Sequence, residues 1–288
     1  AANSINSSHI LNGNVTFDPT TNSWTGSPTY SLDVTSSTSF YDVTLTAATC
    51  CNTSIIATAS GDTVDVQHNL AHNDGFISGA FELKNNLSVG AGTDGGSGII
   101  VVNGSGSQTY STTGSHRTCH IYVDKTSGSF DADGGTSSLY IQKFSLTNGA
   151  FSAPSGIMAI GGAWGSSQTL FSHSGGTFDA NNGVVTIDPT TNSWTGSPTY
   201  TLDVLNTTTF YDITLNAATC CNTSVIATAS GDTVDVAHNL THSDGFISGN
   251  FEMKNNLSVG TGTDGGSGVI IVNGTGGQTY TTTGSHRT

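Results

Sequence analysis

The chain has 288 residues, of which 37 are glycine and only 9% are Asp, Glu, Lys or Arg. With 34% apolar residues it can bury a core, while scarce Met beside abundant Ser, Thr, Asn and Gly excludes an all-α fold. Twenty acids against six bases leave a net charge of −14, so neither nucleic acid nor anionic lipid is expected as a partner.

The first residues carry no basic-then-apolar leader, and no run approaches the 18 apolar residues of a membrane span. No membrane insertion is expected, and the chain reads as mature or cut from something longer. Residues 17–118, opening FDPTTNSWTGSPTY, return without a gap as residues 187–288, at an offset of 170. Gly13, Val15 and Thr16 already match Gly183, Val185 and Thr186. The chain therefore divides into a partial unit, 1–118, and a complete 170-residue unit, 119–288.

Exchanges between the copies sort by chemistry. Val43 to Ile213, Ile55 to Val225, Leu83 to Met253, Ile99 to Val269 and Val101 to Ile271 conserve apolar volume, which points them at a core. Ser31 to Thr201, Gln67 to Ala237 and Ala80 to Asn250 change polarity, which suits a solvent face.

Short period-two runs such as Tyr41–Leu45, Thr63–Val66 and Phe81–Leu83, punctuated by Gly, Asn, Asp and Ser, read as strands. A Gly-x-Phe frame recurs at Phe81, Phe130, Phe151, Phe178 and Phe251, with internal steps of 21 and 27 residues. Units of that size cannot bury an apolar face alone but can stack about 4.8 Å apart. The expected fold is all-β: a parallel β-solenoid (β-helix) of about seven coils per repeat, one continuous solenoid rather than separate domains. Tandem β-sandwich domains are the alternative.

The segments TFYDITLNAAT, LTNGAFSAPSG, HSGGTFDANNGVVTID and VNGTGGQTYTTTGS resemble the β-strand repeats of large bacterial surface and adhesin-like proteins. That class is broadly similar to filamentous hemagglutinin and autotransporter β-helices. The resemblance implies secretion, an extracellular or cell-surface location and a fibrous role, and it supplies no catalytic residues.

Candidate sites follow the same order. Cys50, Cys51, Cys119, Cys220 and Cys221 make an odd count, and Cys51 lies 68 residues from Cys119, too far along a solenoid to pair within it. Disulfide cross-links between neighbouring chains are one reading, and buried apolar thiols the other. Trp24 and Trp194 are candidates for stacking on cell-surface glycans, against aromatic stacking in the core.

His68, His72 and Asp74, with His238, His242 and Asp244, offer imidazole and carboxylate ligands. They lack the HExxH pattern and read first as solvated turn residues. Asp94 and Asp264, in Asp-Gly-Gly turns, are candidate calcium ligands against an ordinary turn role. Asp62 with Asp65 and Asp232 with Asp235 are three apart, which on a strand sends them to opposite faces and separates them for acid-base work. No catalytic residues and no cofactor other than calcium are expected. The sequence reads as an extracellular structural protein, a stiff surface fibre or adhesin stalk that self-associates or continues a longer array. A carbohydrate- or host-binding adhesin module is the alternative.

Overall fold

A computed structural model of the chain describes residues 3–5, 10–19, 28–34, 38–47, 54–132, 138–163, 166–190, 197–217 and 224–283. Every regular element among them is a β-strand. The chain forms two compact units, residues 1–142 with 147–152 and residues 143–146 with 153–288.

In the first unit, strand Ser39–Thr46 bonds two neighbours along its length. Phe40 is in register with Val66 of Thr63–Val66, and Val43 with Leu70 of Leu70–Ser78. Thr118–Asp131 does the same, with Ile121 opposite Ile100 of Ile99–Val102 and Phe130 opposite Gln108 of Gln108–Thr112. Ala80–Leu83 links Thr63–Val66 to Ile99–Val102, and Leu87–Gly95 links Leu70–Ser78 to Gln108–Thr112. The pairings, all parallel, close a ring of eight strands. Outside it, Ile10–Phe17 pairs with Ser39–Thr46, and Asn3–Ile5, Thr29–Val34 and Ile55–Thr58 pair in succession onto Leu70–Ser78.

This closed eight-strand parallel barrel, with extra strands outside it, corrects both fold expectations. A β-solenoid or parallel β-helix keeps its ladders as separate faces, whereas here two long strands each bond two neighbours and join the ladders into one circuit. A β-sandwich is built from antiparallel sheets, and these pairings are parallel.

The second unit repeats the registers but divides its ladder differently. The segment equivalent to Ser39–Thr46 breaks at Tyr211 into Thr209–Phe210 and Asp212–Asn216. Thr209–Phe210 heads a separate four-stranded sheet with Thr233–Val236, Asn250–Met253 and Val269–Val272. Asp212–Asn216 pairs with Val184–Ile187 and Leu240–Ser248, and Ile213 faces Leu240 as Val43 faces Leu70.

Alternation along each strand builds the interior. Phe40, Val66, Leu83, Val102 and Val123 stand in register on successive strands, and all are fully buried. Burying each such side chain contributes about 1.5–3 kcal/mol. The five Gly-x-Phe phenylalanines are all buried as well, and Phe130 and Phe151 approach to 5.9 Å between ring centroids.

Volume conservation identified some of these positions and misplaced others. Val43, Ile213, Leu83 and Met253 are buried, but Ile55, Ile99 and Val101 are half-exposed because they alternate with the inward Ile56, Ile100 and Val102. Close strand approach also fixes particular glycines. A Cβ at Gly96 (φ +125) or Gly266 (φ +136) would lie 1.9 Å from the carbonyl oxygen of Ile77 or Ile247.

Candidate functional site

Polar side chains interrupt the inward rows at a few places, and the histidines, Lys125 and Gln108 among them bond to atoms of the chain itself. His72 stands between Leu45 and Val89 in register and is fully buried. Its Nε2 lies 2.9 Å from the Gly75 carbonyl oxygen, which can only accept, so Nε2 carries the proton. Nδ1 then accepts from the Thr118 hydroxyl at 2.9 Å. Burial pushes the imidazole pKa down to about 4, against a smaller opposing effect of the Gly75 carbonyl, so the ring is neutral at physiological pH.

The arrangement recurs wherever His-x-x-Gly does. His242 Nε2 donates to the Gly245 carbonyl at 3.0 Å, and His173 Nε2 reaches the Gly176 carbonyl at 3.4 Å while its Nδ1 meets the Thr208 hydroxyl at 2.7 Å. Burial lowers both pKa values. His242 Nδ1 has no partner among the described residues, and the position equivalent to Thr118, Thr288, lies outside them.

Lys125 is the second exception. The residue is 1% exposed, and its ammonium donates to the carbonyl oxygens of Gly104 (2.6 Å) and Gly106 (2.9 Å) and to Gln108 Oε1. Gln108, also fully buried, accepts from the Gly104 N–H at 2.9 Å and donates to the carbonyls of Leu83 (3.1 Å) and Asn85. Burial lowers the lysine pKa to about 8.

A polar ladder runs along one corner. Asp42 Oδ1 accepts from the Asn69 N–H at 2.9 Å and from His68 Nδ1 at 2.8 Å. Asn69 Oδ1 accepts from the Asn86 N–H at 3.3 Å, and Asn86 Oδ1 from the Thr109 N–H at 2.8 Å. Burial raises the Asp42 pKa, but the Asn69 N–H and His68 outweigh it and hold the carboxyl below its ordinary value. Tyr41 stacks on the His68 ring at 4.5 Å. The second copy repeats the ladder through Asp212, His238, Asn239, Asn256 and Thr279, with Tyr211 stacked on His238 at 4.8 Å.

These placements revise the histidine reading. His68 and His238 are half-exposed beside their aspartates, whereas His72 and His242 are interior strand residues rather than solvated turn residues. Both ring nitrogens of His72 are engaged, which leaves no lone pair for a metal. Asp74 and Asp244 are half-exposed. Asp94 and Asp264, the calcium candidates, are exposed on strand positions. Burial, with the charge of Asp74 adding, raises the Asp94 pKa against the opposing effect of His116. Among the described residues no three or more His, Cys, Asp or Glu side chains group so as to hold a metal ion.

Asp62 and Asp65 do not separate to opposite faces as expected. Asp62 precedes its strand, and both line one shallow hollow, where Asp62 accepts the Val34 N–H at 2.9 Å and Asp65 the Ser39 hydroxyl at 2.7 Å. Asp232 and Asp235 serve Val204 and Thr209 in the same way.

The disulfide expectation is corrected at Cys119. That thiol is free and fully buried, and burial pushes its pKa up to about 12, so it presents no thiolate to another chain. Cys50, Cys51, Cys220 and Cys221 lie outside the described residues, as do Trp24 and Trp194.

Sequence reasoning missed His173, Lys125, Gln108 and Asn69. The signals were present as a thrice-repeated His-x-x-Gly and a shared Asn-Gly-x-Gly-x-Gln, residues 103–108 and 273–278. No family model, curated protein or solved structure matches the chain.

Proposed function

We propose that the chain is an extracellular structural protein, a repeated parallel-β scaffold that builds a stiff surface fibre or adhesin stalk. The observation that carries this reading is where the interior polar groups go. His72, His173, Lys125, Gln108 and the Asn69–Asn86 ladder bond to backbone and side chains of their own and neighbouring strands and of the turns between them, and the second copy reuses the ladder in the same register. Groups of these types would serve a reaction centre if they converged in a cleft. Here they fix strand to strand, which suits a protein whose work is to hold shape. The strongly acidic, lysine-poor composition agrees with a solvated surface.

Immunogold labelling of intact source cells with antibody raised against the chain tests the reading. Label on thin projections outside the cell supports it. Label confined to the cytoplasm overturns it.

A further inference from the structure

Ala80–Leu83 and Ile99–Val102 lie side by side in parallel, with Glu82 opposite Val101 and Leu83 opposite Val102. Lys84 and Asn103 follow at the next register position, where the Asn103 N–H donates to the Leu83 carbonyl at 3.2 Å. Since Leu83 and Val102 point inward, their neighbours Glu82, Lys84 and Asn103 point outward, and all three are half-buried.

Their polar atoms form a closed triangle. Lys84 Nζ donates to Glu82 Oε2 at 2.9 Å and to Asn103 Oδ1 at 3.0 Å, and Asn103 Nδ2 donates to the same Glu82 Oε2 at 3.3 Å. Lys84 above all holds the Glu82 carboxyl below its ordinary value, against the effect of burial and with a smaller contribution from Asn103, so it is a base at neutral pH. One carboxylate oxygen therefore touches both the nitrogen that loses protons and the nitrogen that gains them when an amine displaces ammonia from a carboxamide. Folding has already brought the two reactants together. The second copy carries the same residue types at Glu252, Lys254 and Asn273, and Asn273 again donates to Glu252. Lys254 instead stands 2.9 Å from Asp235, so the triangle closed in the first copy is open in the second.

We infer that Lys84 and Asn103 join through an intramolecular isopeptide bond, with Glu82 as the proton relay. Glu82 Oε2 takes a proton from the Lys84 ammonium, and the freed amine attacks Asn103 Cγ. The Nζ–Cγ bond forms, and the Cγ–Nδ2 bond breaks with its electron pair leaving on nitrogen. The two protons that Nζ loses pass through Oε2 to Nδ2, which departs as ammonium. A lysine ammonium and a carboxamide thus become a secondary amide and ammonium, with no oxidant, reductant or cofactor. The product ties Ala80–Leu83 covalently to Ile99–Val102. This rests on the three side chains, and stands or falls separately from the cell-surface reading.

The test is mass spectrometry of the whole 288-residue chain, folded and then cleaved before aspartate. Cleavage at Asp74, Asp94 and Asp124 separates residues 74–93, which carry Lys84, from residues 94–123, which carry Asn103. The two peptides are expected as one joined species, lighter than their sum by one ammonia, with fragment ions placing the bond between Lys84 and Asn103. Asn103→Ala should abolish the joining, and Glu82→Gln should slow it about a hundredfold or more over time points after synthesis. Circular dichroism checks that both variants fold. Separate peptides from the native chain overturn the inference. So does loss of ammonia confined to residues 94–123, the mark of a succinimide at Asn103–Gly104, or loss of water within residues 74–93, the mark of a Lys84–Glu82 amide. Joining at the same rate in Glu82→Gln overturns the relay.

Discussion

Acidification should unlock the interior through its histidines, and His72 allows the size to be worked out. Its folded pKa is about 4 against an ordinary value of 6.5, because the buried ring cannot be charged cheaply. The unfolded chain therefore binds more protons between those values. The stability tied to the neutral ring is complete above pH 6.5 and is lost as pH falls toward 4. At about 1.36 kcal/mol per tenfold change in proton activity, His72 alone accounts for roughly 2–3 kcal/mol by pH 4.5. His173 and His242 act in the same direction. The assay is urea unfolding of the native chain and His72→Gln at pH 7, 5.5 and 4.5. The glutamine amide can still donate to the Gly75 carbonyl but does not titrate, and carboxylate contributions cancel in the difference. The native chain should lose roughly 2–3 kcal/mol more than the variant. Equal losses would refute the neutral buried histidine.

Other perturbations follow from named contacts. Lys125→Met should abolish a rise in stability of the native chain between pH 8 and 10.5, since the depressed lysine pKa makes the folded state stronger as the amine deprotonates; pH-resolved denaturation reads it. Gly96→Ala and Gly266→Ala should each cost about 3 kcal/mol or more by thermal melting, because the methyl meets a backbone carbonyl at positive φ. Gly61→Ala, strained in φ but open in space, should cost only about 1 kcal/mol. Asn69→Ala should cost about 1–3 kcal/mol by leaving the Asn86 N–H unpaired. Cys119 should resist iodoacetamide at pH 8 until the chain is unfolded, as followed by peptide mass spectrometry.

Strand positions were legible because alternation leaves a direct record. The Tyr41–Leu45 and Thr63–Val66 runs became strands with inward Val43, Leu45, Val64 and Val66. The Gly-x-Phe frames all marked buried rings. Partner choice left no such record. Nothing in Ser39–Thr46 itself says that Phe40 bonds one strand and Val43 another, yet that split closes the ring. His72 was hidden by its setting, since an Asn- and Asp-rich segment reads as a turn until the register places it between Leu45 and Val89. Lys125 was hidden as one cation among six, because nothing in the sequence ties it to the Asn-Gly-x-Gly-x-Gln segment, residues 103–108, whose Gly104, Gly106 and Gln108 oxygens hold it.

The ring closure can be observed directly by amide-to-amide nuclear Overhauser effects in deuterated protein, where parallel strands about 4.8 Å apart bring backbone amides within range. Strand Ser39–Thr46 should show cross-peaks to two partners, from Phe40 to Val66 and from Val43 to Leu70. Thr118–Asp131 should likewise contact both Ile99–Val102 and Gln108–Thr112. Cross-peaks from either long strand to only one of its partners would open the ring and contradict the closed parallel barrel.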